Sequence, residues 1–149
     1  MKTIIVAVDF SNATLRVTDI AIQLAKSFGA GLQLFHVVEP EPGYAAYGFT
    51  PSEFPAMAEF HEEAKRRAAI KLDELLATVR LQVPGATCVI VEGSPLSMLL
   101  DHIRQSGADF LVVGSHGHGV IASLLLGSVA EGMVRKAGIP TLVVPAARE

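Results

Sequence analysis

Five short apolar runs punctuate the chain: Ile4 to Val8, Leu32 to Val38, Ala86 to Val91, Phe110 to Val113 and Thr141 to Val144. The first and fourth are continuous and rich in β-branched residues, the pattern of strands covered on both faces in a parallel sheet. They are expected at its centre. Between the runs the apolar positions recur at helical spacing. After a cap read at Ser11 and Asn12, the residues Val17, Ile20, Ala21, Leu24, Ala25 and Phe28 mark one face, and Gly29 supplies a left-handed stop. A second helix runs from about Pro55 to Arg80, with Ala64, Ala68, Leu72, Leu75 and Leu76 inward and the charged run Glu62, Glu63, Lys65, Arg66, Arg67 outward as a solvated face. A third starts with Ser94 as cap and Pro95 in the first turn, buries Leu96, Leu99, Leu100 and Ile103, and ends near Gly107. The fourth follows Gly127 and stops at Gly138-Ile139-Pro140.

Strict strand–helix alternation implies right-handed crossovers and a sheet sandwiched between helices. The expectation is an α/β fold, Rossmann-like, with a five-stranded parallel sheet in the order 3-2-1-4-5 and helices on both faces, formed by residues 1–149 as one domain. That order sets the first and fourth strands side by side where the winding reverses, and ligands bind outside the carboxyl ends at such a point. Asp9 and Gly114, more than a hundred positions apart, then converge on one crevice with His36-Val37-Val38. The segment Glu39 to Phe54, with its prolines, glycines and four aromatic residues, leaves the same edge. It reads equally as a lid or as a surface loop whose aromatics tuck against the second helix or a partner.

Charge narrows the partners. Twelve basic against fifteen acidic residues leave a formal net charge of −3, without the basic footprint of a nucleic-acid or anionic-membrane binder. The lone Cys88 allows no internal disulfide and fits a reducing compartment, as a small apolar side chain in a strand. The first nine residues are too short in apolar character for a signal-peptide core, and no run approaches the roughly 20 residues of a membrane span. A soluble cytoplasmic protein is expected.

The candidate chemistry lies in Gly114-Ser115-His116-Gly117, then nine residues, then Gly127-Ser128. Glycines and a serine where a buried strand ends and a helix begins can expose a concave set of backbone N–H groups, which binds phosphate. Ser128-Val129-Ala130-Glu131 also reads as a capping box, and the glycines as tight turns, so the residues alone leave both readings open. No Gly-x4-Gly-Lys-Ser/Thr occurs, which argues against a P-loop ATPase or GTPase. Gly117-x-Gly119-x-x-Ala122 matches a dinucleotide fingerprint in form only, since no acid ends the next strand to hold a ribose. Ser115-His116-Gly117-His118 has the shape of a nucleotidyltransferase element that belongs after the first strand, not the fourth. His116 and His118 are placed to donate to phosphate, or with Asp9 and His36 to approach a metal, but they close no ligand set, and no metal site is assigned. His36, His61 and His102 read as surface or packing residues. Asp9, an acid at the mouth of a buried strand, needs a partner or a ligand. With no evident nucleophile and no dedicated acid/base pair, no catalytic residue is assigned; a slow ATP hydrolase using Asp9 or His116 to orient water, and an interaction module with an empty site, stand as alternatives.

Val6-Ala7-Val8-Asp9-Phe10-Ser11, His36-Val37, Glu92-Gly93-Ser94-Pro95 and Gly114-Ser115-His116-Gly117-x9-Gly127-Ser128-Val129 resemble the universal stress protein family over essentially the whole chain, and its ATP-binding branch in particular. The resemblance implies an adenine-nucleotide-binding regulatory protein of the stress response, a dimeric sensor or switch. It implies that the backbone at Ala7 and Val37, with Asp9, holds adenine and ribose, and that Gly114 lies close to the ribose. Gly117, His118, Gly127, Ser128 and Val129 then surround the phosphates, with Ser115 and His116 completing the loop. ATP, or ADP or AMP, with magnesium or manganese bridging the phosphates, is the implied cofactor. A homodimer through Thr141 to Val144 is the implied assembly, with a protein client as a further partner. Relatives often carry basic residues in the spacer, whereas here it reads His118-Gly119-Val120-Ile121-Ala122-Ser123-Leu124-Leu125-Leu126. Phosphate charge is therefore not neutralised from within the motif, which favours a diphosphate, a monophosphate or a metal-dependent mode, and protonation of His118 is expected to favour binding at mildly acid pH.

Overall fold

The computed structural model describes residues 1–40, 55–117 and 126–147. Strands β1 (Thr3–Ala7), β2 (Gly31–Val38), β3 (Thr87–Glu92), β4 (Phe110–Gly114) and β5 (Thr141–Val144) alternate with helices α1 (Thr14–Phe28), α2 (Pro55–Arg80), α3 (Pro95–Ser106) and α4 (Ser128–Lys136). The strands form one parallel sheet in the order β3-β2-β1-β4-β5, as expected.

Why β1 shows no alternation is plain from its two faces. Ile4, Ile5 and Val6 are all fully buried. Ile4 and Val6 pack among Val17, Ala21, Leu72, Leu76 and Val79 beneath α1 and α2, while Ile5 faces Leu99, Ile103, Leu111 and Met133 beneath α3 and α4. A strand with a core on each side has no polar face, so its period-2 signal vanishes. Burying such a side chain is worth about 1.5–3 kcal/mol.

Helix ends depart from the expected caps. Thr14 begins α1 and Ala13 occupies its cap position without any side-chain hydrogen bond. Ser11 lies two residues before that cap, its Oγ accepting the Ala13 N–H at 3.4 Å and its carbonyl the Thr14 N–H at 3.1 Å. Asp9 Oδ1 braces the turn by accepting from the Ser11 N–H at 2.9 Å and the Thr14 hydroxyl at 3.5 Å. Gly29 does stop α1, in the left-handed region at φ 60°. Phe28, placed on the inward face by periodicity, is 55% exposed because the helix ends there, beyond the sheet. Ser94 holds the expected cap position of α3, but its side chain makes no cap bond. Cys88 is half-buried in β3, and burial together with the nearby Asp73 charge pushes its thiol up, against the opposing pull of Arg80. Glu39 to Phe54 falls largely outside the described residues, and so does the lid reading. Among the described residues no helix is long and apolar enough to cross a membrane.

Candidate functional site

The carboxyl ends of β1, β2 and β4 open into a crevice of about 380 Å³. Of the residues singled out in the sequence, Ala7, Asp9, Val37, Gly114, Ser115, His116, Gly117, Gly127, Ser128 and Val129 all line it. His118 lies outside the described residues.

Asp9 is the hinge of the near wall. Its Oδ1 is engaged by the β1–α1 turn, and its Oδ2 lies 2.9 Å from where a Cβ on Gly117 would stand. The glycine-rich loop and the first strand's acid are therefore in direct apposition. Phe10, next along, holds φ 59°, a left-handed conformation that costs a residue with a Cβ on the order of 1–3 kcal/mol. The turn sets its ring 4.5 Å from the His36 ring, with Lys71 Nζ 5.7 Å from the Phe10 ring centroid. His36 donates Nδ1–H to the Val8 carbonyl at 2.7 Å; it packs as expected and also lines the crevice.

The two halves of the loop motif are drawn together by backbone. The Gly127 N–H donates to the Ser115 carbonyl at 2.7 Å, and a Cβ at Gly127 would meet that oxygen at 3.2 Å and the His116 Cα at 3.4 Å. A Cβ there would have to push the two ends apart by a few tenths of an ångström. The capping box does not form: Gly127 is the cap of α4, Ser128 is its first residue, no side chain caps the helix, and Glu131 pairs with Arg135 at 2.9 Å instead. Among the described residues no side chain caps these first-turn amides, and the exposed Ser128 lines the crevice beside them.

Ser115 is joined to His116. Its Oγ accepts the Ala146 N–H at 3.2 Å and lies 2.8 Å from His116 Nδ1. The second ring nitrogen, Nε2, is buried without a hydrogen-bond partner among the described residues.

Sequence reasoning missed Ala64 and Ala68, which were read as core residues of the second helix but line the crevice from α2. It also missed Thr14, Val17 and Pro95. The usable signal was a pair of small residues one turn apart on a helix face otherwise carrying leucine. Electrostatically the described lining holds the acids Asp9 and Glu39 and no lysine or arginine. Beside it, Glu92 Oε1 receives Lys65 Nζ at 2.8 Å and His61 Nε2 at 3.0 Å; these two hold the Glu92 carboxyl below the usual range and tie α2 to the end of β3. His102 stacks on Phe35 and bonds to Gln33, and burial lowers its pKa. Such a crevice offers backbone donors to an anion; its hydroxyl–imidazole pair, Ser115 with His116, is buried at the serine and tied to the Ala146 N–H.

The Universal stress protein family profile matches residues 1–145. The chain belongs to this family. It is 30% identical over 145 residues to the universal stress protein in the QAH/OAS sulfhydrylase 3′ region of Thermus aquaticus, covering 96% of this chain and 98% of that one. Among solved structures, the universal stress protein UspA from Lactobacillus plantarum matches with a TM-score of 0.84 at 23% identity, over 96% of this chain and 97% of the other. A universal stress protein crystallised in complex with cAMP matches with a TM-score of 0.62 at 25% identity, over 98% of each chain. This family member shares their parallel α/β architecture.

Proposed function

We propose that the chain, as one domain, is an adenine-nucleotide-binding regulatory protein of the stress response that acts as a dimeric sensor or switch. The observation that carries the reading is the closure of Gly114-Ser115-His116-Gly117 onto Gly127 at the start of α4, directly against Asp9. A helix start without a side-chain cap, next to a glycine-lined backbone turn, is a site for phosphate oxygens. A volume of about 380 Å³ falls within the range of small-molecule sites. The relative crystallised with cAMP supports an adenine ring in the crevice.

In this reading the backbone at Ala7 and Val37, with Asp9, receives adenine and ribose, and Gly114 lies against the ribose. Ser115, His116, Gly117, His118, Gly127, Ser128 and Val129 surround the phosphates of ATP, ADP or AMP. With Asp9 and Glu39 as the charged lining among the described residues, magnesium or manganese held on the phosphate oxygens would supply the compensating charge. No group of three or more His, Cys, Asp or Glu among the described residues could hold such an ion by itself. The half-buried edge strand β5, Thr141 to Val144, is the natural place for a second copy to pair.

Hydrolysis is the weaker alternative on one specific observation. The His116 ring has Nδ1 engaged by Ser115 Oγ and Nε2 buried away from solvent, a placement unsuited to taking a proton from water. Calorimetric titration with magnesium–ATP, together with absorbance of the heat-released supernatant of freshly purified protein, tests the binding. No heat and no co-purified adenine absorbance would overturn it.

A further inference from the structure

Three segments meet at one buried side chain. Ser115, 6% exposed, donates its N–H to the Val144 carbonyl at 2.8 Å and accepts the Gly127 N–H on its own carbonyl at 2.7 Å. Its Oγ takes the Ala146 N–H at 3.2 Å and binds His116 Nδ1 at 2.8 Å. The start of the glycine loop, the cap of α4 and the chain leaving β5 are thus joined through a single residue. Gly127 has no slack, since a Cβ there would stand 3.2 Å from the Ser115 oxygen.

His116 adds a reason for the junction to move. Its buried Nε2 has no hydrogen-bond partner among the described residues, and an unsatisfied buried polar atom costs about 1–3 kcal/mol. Any rearrangement of the loop that gives this nitrogen a partner turns a ring whose other nitrogen is bonded to Ser115. The displacement is then felt at Ala146.

Resting on the nucleotide reading, we propose that Ser115 and His116 are positioning residues that couple occupancy of the crevice to the order of the segment following β5, Pro145 to Ala147. Nucleotide binding tightens the Ala146 N–H bond to Ser115. By reciprocity, whatever holds that segment in place, including a second copy laid along β5, raises nucleotide affinity by the same factor.

The test is amide hydrogen exchange at Ala146 in the full chain with and without saturating magnesium–ATP, for the native protein and Ser115→Ala. Calorimetric titration of the native protein and of Ala146→Pro runs alongside. In the native chain the nucleotide slows Ala146 exchange by about fivefold or more, and in Ser115→Ala the slowing falls below about twofold. Ala146→Pro deletes the donor outside the crevice and weakens nucleotide affinity about fivefold with an unchanged circular dichroism spectrum. It decides the matter if Ser115→Ala fails to fold or to bind. A native chain that takes no nucleotide overturns the nucleotide reading and the coupling with it. Binding that leaves Ala146 exchange unchanged, equal slowing in Ser115→Ala, or native affinity in Ala146→Pro overturns the coupling alone.

Discussion

Replacing Gly117 by alanine probes the contact on which the site is built. The added Cβ would stand 2.9 Å from Asp9 Oδ2, where ordinary contact begins at 3.4 Å, so about 0.5 Å of movement is required. The carboxylate is the obvious group to yield, yet its other oxygen is held by the Ser11 N–H at 2.9 Å and the Thr14 hydroxyl at 3.5 Å. Turning it away weakens hydrogen bonds to a charged acceptor, each worth about 1.5–3 kcal/mol when fully lost. The loop's alternative is to recoil, but Gly127 already lies against the Ser115 oxygen. A loss of about 1–2 kcal/mol in folding stability follows by either route. Nucleotide affinity falls at least about tenfold, or ~1.4 kcal/mol, because Asp9 and the loop can no longer occupy their positions together. Urea unfolding and calorimetric titration measure the two effects. Gly85→Ala, with nothing within 4 Å of the new Cβ, is the control and should match the native chain. Native-like unfolding and native-like affinity in Gly117→Ala would refute the reasoning.

Three further outcomes are expected. Gly132→Ala places a Cβ 2.5 Å from Leu96 Cδ1 and 2.8 Å from Cδ2, so the leucine tip must turn aside and offset the ~1 kcal/mol of helix propensity that alanine brings; thermal unfolding should show no stabilisation, whereas in a Leu96→Ala background the same change stabilises by about that amount. Ile5→Ala, at a fully buried position in the middle of the sheet, should cost about 2–5 kcal/mol by denaturant unfolding. Asp109 accepts the backbone N–H groups of Lys2 at 2.8 Å and Thr3 at 2.9 Å, and the Thr3 bond first, then that of Lys2, holds its carboxyl below the ordinary range. A depressed folded value means that the contribution is complete above the unfolded pKa of about 3.9 and is lost as pH falls through the folded value. Asp109→Asn should therefore unfold at a lower temperature than the native chain at pH 7, with the gap closing as pH drops below about 4; a gap that widens in acid would contradict the assignment.

Reading structure from pattern succeeded where the cause is local and repeated. Five apolar runs and the helical stripes between them gave element type and order, because every strand or helix residue contributes to one periodicity. Boundaries shifted by a residue: β1 stops at Ala7, although the Val8 N–H still reaches the Phe35 carbonyl at 2.9 Å. Caps were harder. Ser11 and Asn12 look right for α1, but Ala13 takes the cap position, and Ser11 meets the helix start from upstream through its carbonyl, in a turn that Asp9 braces and that depends on how the chain folds at Phe10. Ser128 and Glu131 fit a capping box letter by letter, and Arg135 took the glutamate instead.

Glycine spacing and an acid after the first strand placed one crevice at the switch point, because alternation and right-handed crossovers leave only a few strand orders, and in the one realised β1 and β4 lie side by side. Contacts between residues far apart in the chain followed a different logic. That Gly117 must lack a Cβ because of Asp9, that Ala64 and Ala68 form a wall, and that Ser115 ties the loop to Ala146 all depend on distances fixed by packing. Periodicity is a property of neighbours along the chain and survives in one dimension; a shared hydrogen bond or an excluded side chain exists only once the sheet has brought its strands together.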